Sequence, residues 1–238
     1  MIVRPDRGEL WLITQPDHAL LAHLVMAQWR SGGLEAHPRR ASILHAVAEH
    51  DNGWREVDLA PTVDADGRLH DFVSAPLDLR QGVWPRAIDR LSGDRWAAAL
   101  VAEHALAIHH RFHSEPAWFE FFDAMEQRRN ALVNRARRSL EDLAADYTFV
   151  RLADLMSLVF CNAWTEVQRC GDFTIRLQGD RRVVVSPDPF GGQTIAIAVP
   201  ARVIPARPYR SVAEVTAALA GARWARLAGT ISGGRPPN

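Results

Sequence analysis

Lysine is absent from this 238-residue chain, so every basic side chain other than histidine is an arginine. The absence excludes Schiff-base chemistry on lysine and the phosphate-binding lysine of a P-loop. Arginines equal the acidic residues in number, so the formal net charge is zero. A neutral chain gives no indication of a polyanionic partner. We therefore expect no nucleic-acid duplex among its partners.

Cysteine and long apolar runs are also scarce. The two cysteines, Cys161 and Cys170, are too few for a disulfide framework or a cysteine-rich zinc site. Both lie in or near an apolar segment, and we expect them to be buried free thiols. No stretch approaches the ~20 apolar residues that a membrane span needs. Residues 1–6 lack the apolar core of a signal peptide. The sequence thus predicts a cytoplasmic protein with no membrane partner.

The fold class predicted from periodicity is mainly α, in a single domain over residues 1–238. Residues 2–4 and 9–13 predict a short N-terminal hairpin, and a helical body is expected over residues 15–168. A small C-terminal β-rich element is expected over residues 172–224, and a disordered tail over residues 232–238. Within the body and the C-terminal element, we expect helices near 17–31, 39–50, 77–91, 94–112, 116–144, 148–168 and 211–222.

The clearest functional pattern is a His-Asp pair at the end of an apolar helix. His50 shares a helical face with Ile43 and Val47 and therefore points inward, Asp51 follows it, and the helix breaks at Gly53. An imidazole and a carboxylate that point to the same place suit Mn, Fe, Ni, Co or Zn. The sequence therefore predicts a divalent transition-metal ion at this helix end.

Three further side chains sit on other apolar helices. His18 opens the first long helix, His104 aligns with apolar residues, and Asp154 is surrounded by them. An unpaired buried carboxylate is costly, so Asp154 needs a partner. We therefore expect these residues to meet His50 and Asp51 in one polar centre.

Other histidines have weaker contexts. His70 and Asp71 form a second His-Asp pair, but they lie in a polar loop, so we interpret them as unrelated to the metal. His109, His110 and His113 follow His104 on a different helical face. They either form another wall of the site or face solvent.

The order His18, His50-Asp51 and Asp154, the last in a helix reading Ala-Asp-x-x-Ser, resembles the metal-dependent phosphohydrolases of the HD-domain superfamily. More narrowly, the chain resembles the bacterial DUF3891 family of uncharacterised proteins. The segments that carry this resemblance are residues 12–18, 50–56, 71–72, 103–104 and 187–190.

The HD-domain resemblance implies an HD-like helical bundle with a metal ion held by His18, His50, Asp51 and Asp154. The function it implies is hydrolysis of a small phosphorylated substrate, a phosphate ester or a nucleotide, by a metal-activated water. The sequence leaves homo-oligomerisation open. The alternatives are an HD-type di-iron oxygenase and a non-catalytic protein that binds a metal or ligand.

Further roles follow from position around the same motif. His104 is expected to be catalytic, serving a second ion or the substrate phosphate, and Glu49 is expected to assist proton transfer. Asn52 and Trp54 come directly after the His-Asp pair and are expected to bind the substrate.

Overall fold

The structure, a computed structural model, describes residues 1–110 and 113–234. A hairpin of β1 (Ile2–Asp6) and β2 (Glu9–Ile13) comes first. Its turn places Arg7 and Gly8 at positive φ. The helices that follow are α1 (Gln15–Met26), α2 (Arg40–Glu49), α3 (Arg55–Leu59), α4 (Leu77–Arg90), α5 (Arg95–His110), α6 (Phe119–Arg135) and α7 (Leu140–Asn162).

Strands dominate the rest of the chain. They are β3 (Gln168–Cys170), β4 (Phe173–Gln178), β5 (Arg182–Ser186), β6 (Thr194–Pro205) and β7 (Arg223–Gly233), with α8 (Val212–Ala220) between the last two. The strands form one sheet in the order β1-β2-β6-β7-β5-β4-β3. The pairs are antiparallel except β5 with β7. The N-terminal hairpin is therefore part of the C-terminal sheet.

Four helices surround the interior of the protein. α1, α2, α5 and α7 pack against one another, and α1 and α7 also contact the sheet. One cluster of buried hydrophobic side chains extends from the helices into the sheet, for example from Ile43 and Val150 to Ile175 and Leu227. A second, smaller cluster packs α8 against β2 and β6 through Leu12, Ile204 and Val215. The polar centre described below lies among the four helices.

The predicted mainly α, HD-like bundle is wrong. About half of the residues are helical, but about a fifth lie in the curled seven-stranded mixed sheet. The error has a physical cause: β2 pairs with β6, from Glu9 opposite Pro205 to Leu12 opposite Arg202. Pairing between such distant segments leaves no local periodicity to detect.

Several boundaries also differ from expectation. The last body helix ends at Asn162, and strands already begin at Gln168 and continue to Gly233. Residues 232 and 233, expected in the tail, belong to β7, whereas residues 235–238 lie outside the described residues. The last two residues of the helix expected at 94–112 also lie outside them.

A helix break replaces the continuous helix expected over residues 116–144. Arg137 takes a positive φ of 54°, which ends the regular helix just beyond α6. Ser139 and Asp142 then form a reciprocal capping box that starts α7. α7 consequently runs unbroken through residues 144–148, where a gap was expected. Among the described residues, none of the helices combines the length and apolarity needed to cross a bilayer.

Candidate metal centre and cavity

Four buried side chains meet between α1, α2 and α7. His18 Nε2 lies 3.1 Å from His50 Nε2 and 3.2 Å from Asp51 Oδ2. Asp154 Oδ1 lies 3.4 Å from His18 Nε2 and 3.5 Å from His50 Nε2. Both histidines are fully buried and both carboxylates nearly so. Residues that are far apart in the sequence therefore form one compact polar cluster.

Local structure fixes where each member stands. Thr14 caps α1 by accepting a hydrogen bond from the backbone N–H of Asp17, which sets His18 in the first helical turn. His50 caps the C-terminal end of α2, and Asp51 begins a short 3-10 turn over Asn52–Trp54. Asp154 comes from the middle of α7, where its neighbours are buried. Each ligand-type side chain is thus placed by a defined helix position.

Gly53 allows this turn to press directly against α4. A Cβ atom at Gly53 would lie 1.9 Å from the carbonyl oxygen of Val83 and 3.2 Å from the Ala87 Cβ. The first of these contacts is impossible, so only glycine fits without moving α4. α2 ends at Glu49, before Gly53, which lies inside the 3-10 turn and does not take the left-handed conformation of a helix stop. The reason for glycine is therefore this close approach.

Hydrogen bonds outside the cluster assign the protons of both imidazoles. His50 Nδ1 donates to the carbonyl oxygen of Val47 over 2.7 Å. The Ser157 hydroxyl donates to the carbonyl oxygen of Asp154 and therefore accepts from His18 Nδ1, at 2.6 Å. A neutral imidazole carries one proton, so the Nε2 atom of each histidine points a lone pair into the cluster. Two imidazole acceptors thus face two carboxylates.

The electrostatics of the cluster call for a cation. Burial alone would lower the pKa of His50, but the carboxylates of Asp51 and Asp154 raise it to about 9. Burial would raise the pKa of Asp51, but His50 and His18 lower it to about 2. The pKa of Asp154 is also lowered, because contact with the histidines outweighs its burial. Four acceptors that face one another need a shared positive charge, either a proton or a metal ion.

The spacing of the four atoms fits a metal ion. Histidine nitrogens and carboxylate oxygens bind transition metals at about 2.0–2.2 Å, so neighbouring ligands stand roughly 3.0–3.6 Å apart. The distances given above, together with 3.6 Å between His50 Nε2 and Asp51 Oδ2, fall in that range. Neutral imidazole and carboxylate are a donor set suited to Mn, Fe, Ni, Co or Zn. The residues present therefore fit the expected ion.

His104 adds a third imidazole beside this cluster. Its ring centroid is 5.0 Å from that of His50, and a ligand-type atom of His104 lies within 4.8 Å of His50 and Asp154. His104 Nδ1 is 3.1 Å from the Tyr147 hydroxyl oxygen. Burial lowers the pKa of His104 to about 4, so the ring is neutral at neutral pH. The ligand-type atoms form two groups, His18–His50–Asp51 and His50–His104–Asp154, and His50 belongs to both although it has one Nε2 atom to offer.

A cavity of about 580 Å³ opens onto the cluster. Asp51, Asp154 and His104 form part of its wall, and most of the remaining lining is apolar or aromatic. Its size falls in the ~300–1,000 Å³ range of pockets that enclose small ligands. The cluster is therefore open to a small molecule although its members are nearly inaccessible to bulk solvent.

The other predicted site residues lie in three different places relative to the cavity. Trp54 is buried and lines the cavity. Asn52 is buried, but it is not part of the cavity wall. Glu49 points outward and pairs with Arg55 at 3.1 Å, away from the cluster. Glu49 is therefore not brought to the centre where its predicted proton transfer would occur.

The second His-Asp pair has local partners. His70 Nδ1 is 2.8 Å from the Thr62 hydroxyl, and Asp71 accepts hydrogen bonds from Ser74. Neither residue joins a metal-type group among the described residues. The pair stabilises its own loop, as its sequence context indicated.

The histidines that follow His104 in the sequence pack on aromatic rings. His109 accepts a hydrogen bond from Trp84 Nε1 at 2.9 Å and stacks on Trp118. His113 also stacks on Trp118, and both histidines line the cavity. His110 stacks on Phe122 at the surface. Two of the three thus form a cavity wall, and one faces outward.

Several residues of the site carried no assigned role in the sequence. Ser157, three residues after Asp154, orients His18, and its spacing on α7 was a usable signal. Tyr147 is placed two helical turns before Asp154. Gln15, Arg80 and Arg151 line the cavity, and the Gln15 Oε1 atom is buried without a hydrogen-bond partner among the described residues. Cys161 and Cys170 are buried free thiols, as expected.

The comparison with protein families matches residues 1–206 to the family described as "Protein of unknown function (DUF3891)". The match covers most of the chain, so the chain belongs to this family. Comparisons with curated proteins and with solved structures gave no match. The DUF3891 resemblance is therefore confirmed, but the family description names no activity. The likeness to HD-domain enzymes stays an interpretation of the residues.

Proposed function

We propose that this protein is a metal-dependent phosphohydrolase that acts on a small phosphate ester or nucleotide. One observation carries the proposal: His18 Nε2 and His50 Nε2 lie 3.1 Å apart, Asp51 and Asp154 each have a carboxylate oxygen 3.2–3.6 Å from both nitrogens, and this cluster adjoins a cavity large enough for such a substrate. A buried set of acceptors is costly without a cation, and a divalent ion satisfies all four at once.

The chain holds the ligands in place through their outer hydrogen bonds. Val47 fixes the tautomer of His50, and Ser157 fixes that of His18. Such partners orient a ligand ring and make its free nitrogen a better donor to the metal. Ser157 also ties His18 to the backbone of α7, the helix that carries Asp154. The ligand set is therefore organised before any ion binds.

A bound divalent ion would supply Lewis acidity, which lowers the pKa of a water ligand and polarises a phosphoryl oxygen. His104 is the residue placed to handle a proton or the substrate phosphate, because it is neutral and lies at the junction of the cluster and the cavity. Tyr147 fixes its ring through Nδ1. Glu49 has no part in this proposal, because it faces away from the cavity.

The cavity wall would exclude bulk water from the reacting group. Trp54 and Trp84 line it beside the cluster, and both are nearly inaccessible to solvent. Removing water strengthens every charge interaction inside such a site. Trp54 therefore keeps its predicted contact with the substrate, and Asn52 is given no direct role.

The two alternatives make different demands on the same residues. A di-iron oxygenase needs two neighbouring ions, but the two ligand groups share His50, whose Nδ1 is committed to Val47. This sharing supports one ion. A non-catalytic binding protein needs no reactive water but would still keep the cavity.

Metal analysis of the full-length protein tests the proposal. Protein purified without chelator and offered Mn, Fe, Ni, Co and Zn in turn is expected to hold one ion per chain. It is also expected to hydrolyse at least one member of a panel of phosphate esters and nucleotides. Two ions per chain would favour the oxygenase, and no ion with any of the five metals would exclude the hydrolase.

A matched pair of variants makes the test specific. Asp51→Ala is expected to remove metal binding and hydrolysis, because one of four ligands is lost. His70→Ala is expected to preserve both, because His70 bonds only to its own loop. Full metal content in Asp51→Ala together with loss in His70→Ala would mean that the other His-Asp pair is the functional one.

A further inference from the structure

Two arginines line the cavity. Arg80 comes from α4, and Arg151 comes from α7, one helical turn before Asp154. Residues three apart on a helix share a face, so Arg151 stands beside the cluster. The ion pairs of the described residues include neither arginine. Arg80 Nε is moreover buried without a hydrogen-bond partner among them.

The contacts of Arg80 hold its side chain in place but do not neutralise its charge. Its NH1 donates to His113 Nε2 at 3.3 Å, and its guanidinium carbon lies 5.3 Å from the centre of the Trp118 ring. Both partners are uncharged, because a ring nitrogen that accepts a hydrogen bond carries no proton. Among the described residues no carboxylate pairs directly with Arg80, and the acid nearest along these contacts is Glu115, whose Oε2 lies 3.4 Å from His113 Nδ1.

The charges of the cavity leave a defined excess. The acids among the described lining residues are Asp51 and Asp154. A divalent ion at the cluster cancels their two negative charges. Burial lowers the pKa of His109 to about 3, so that ring adds no charge at neutral pH. Arg80 and Arg151 then leave two uncompensated positive charges.

The remaining wall indicates the other half of the ligand. Phe72, Trp84 and Trp164 line the cavity together with Ile108 and Leu155. Aromatic faces of this kind favour flat apolar groups. The cavity thus combines an apolar wall with two arginine side chains, of which Arg151 shares a helix face with Asp154.

We propose that the cavity selects phosphate monoesters in their dianionic form, with an aromatic or other apolar organic group, over phosphodiesters. This inference rests on the proposed function, because the charge balance includes the divalent ion. A monoester carries close to two negative charges above its second pKa of about 6, whereas a diester carries one. Arg80 and Arg151 bind the phosphoryl oxygens, and the aromatic wall binds the organic group.

Calorimetric titration of the metal-loaded, full-length protein at about pH 8.5 tests the selection. The probes are 1-naphthylmethylphosphonate, a dianion that resists hydrolysis, and its monomethyl ester, a monoanion. The wild type is expected to bind the dianion at least about tenfold more tightly. Arg151→Met and Arg80→Met are each expected to weaken binding of the dianion more than binding of the ester and thereby to remove most of that preference.

Arg151→Met is the decisive variant, because Arg80 also contacts His113 and Trp118 and its loss can disturb packing. Arg135→Met, on α6 outside the cavity, is the matched control and should retain the wild-type preference. Equal binding of both probes by the wild type, or an unchanged preference in Arg151→Met, would overturn the inference. Metal content measured on the same samples separates the two proposals: absence of metal refutes the proposed function, whereas bound metal without preference refutes the inference alone.

Discussion

Helix α7 carries two buried aspartates eight residues apart, and they stand in opposite surroundings. Asp146 accepts hydrogen bonds from Arg39 Nε at 2.6 Å and from Trp96 Nε1 at 2.8 Å, and His37 Nε2 is 3.4 Å away. Asp154 instead faces His18 Nε2 and His50 Nε2, which carry no proton while the imidazoles are neutral. One carboxylate is thus held by fixed donors, whereas the other has a donor only when His50 is protonated.

The comparison shows how a structural acid differs from a ligand-type acid. Burial and an apolar helix are common to both, so neither distinguishes them. The two aspartates are distinguished by whether their partners are hydrogen-bond donors or acceptors. Donors satisfy the carboxylate within the protein, whereas acceptors leave it in need of a cation. We infer that Asp146 stabilises the fold and that Asp154 belongs to the site.

The largest expected effect is on stability. Asp146→Ala leaves the Arg39 guanidinium half-buried without its main partner and should lower the free energy of unfolding by about 3–5 kcal/mol. Urea denaturation measures this loss. The folded variant should still bind the metal, because the cluster is untouched. A loss below about 1 kcal/mol would show that the donors around Asp146 are not a structural network.

Asp154→Asn should lower the metal affinity rather than the stability of the fold. The metal affinity should fall by at least about a hundredfold, since a charged ligand is lost. Above about pH 9, where His50 is neutral, the metal-free variant should be at least as stable as the wild type, because the introduced amide can donate to a histidine Nε2 atom. Metal titration and urea denaturation on one sample measure both. Destabilisation comparable to that of Asp146→Ala would remove the distinction between the two aspartates.

The stability of the metal-free protein should depend on the protonation of His50. Its pKa is raised from the ordinary 6.5 to about 9, so its contribution is fully present below pH 6.5 and is lost as the pH rises through 9. The loss amounts to at most about 3 kcal/mol. Urea denaturation across this range measures it, and Asp51→Asn should flatten the profile. Because a metal competes with that proton, metal affinity should rise over the same range.

The smallest expected effect concerns the orientation of His18. Ser157→Ala removes the hydroxyl that accepts from His18 Nδ1 and should weaken metal binding by about 10–100-fold. Thr148→Ala is the control, because the Thr148 hydroxyl bonds only to the Ala144 carbonyl on the exposed side of the same helix. Equal metal affinity in the two variants would mean that Ser157 does not orient the ligand.

The sequence predicted side chains better than it predicted architecture. His18, His50, Asp51 and Asp154 were identifiable because a polar residue on an apolar helical face is a local signal. The full sheet was not identifiable, because β2 and β6 are far apart in the sequence. In addition, Arg223, Trp224 and Arg226 give β7 no simple alternation of polar and apolar residues. Arg80 and Arg151 were also missed, since an isolated arginine carries no sign of the cavity it lines. Only the folded structure shows that both arginines line the same cavity.

Gly53 has a consequence for how this pocket can change its size. The turn that begins with Asp51 packs directly against the backbone of α4, because Gly53 has no side chain to keep the two apart. α4 carries Arg80 and Trp84, which line the cavity. This backbone contact therefore helps to set how far Asp51 stands from the part of the cavity wall that α4 forms. A methyl group added at position 53 would overlap the Val83 carbonyl oxygen, so α4 could not keep its present distance from the turn. The dimensions of the cavity thus depend on a residue that does not line it.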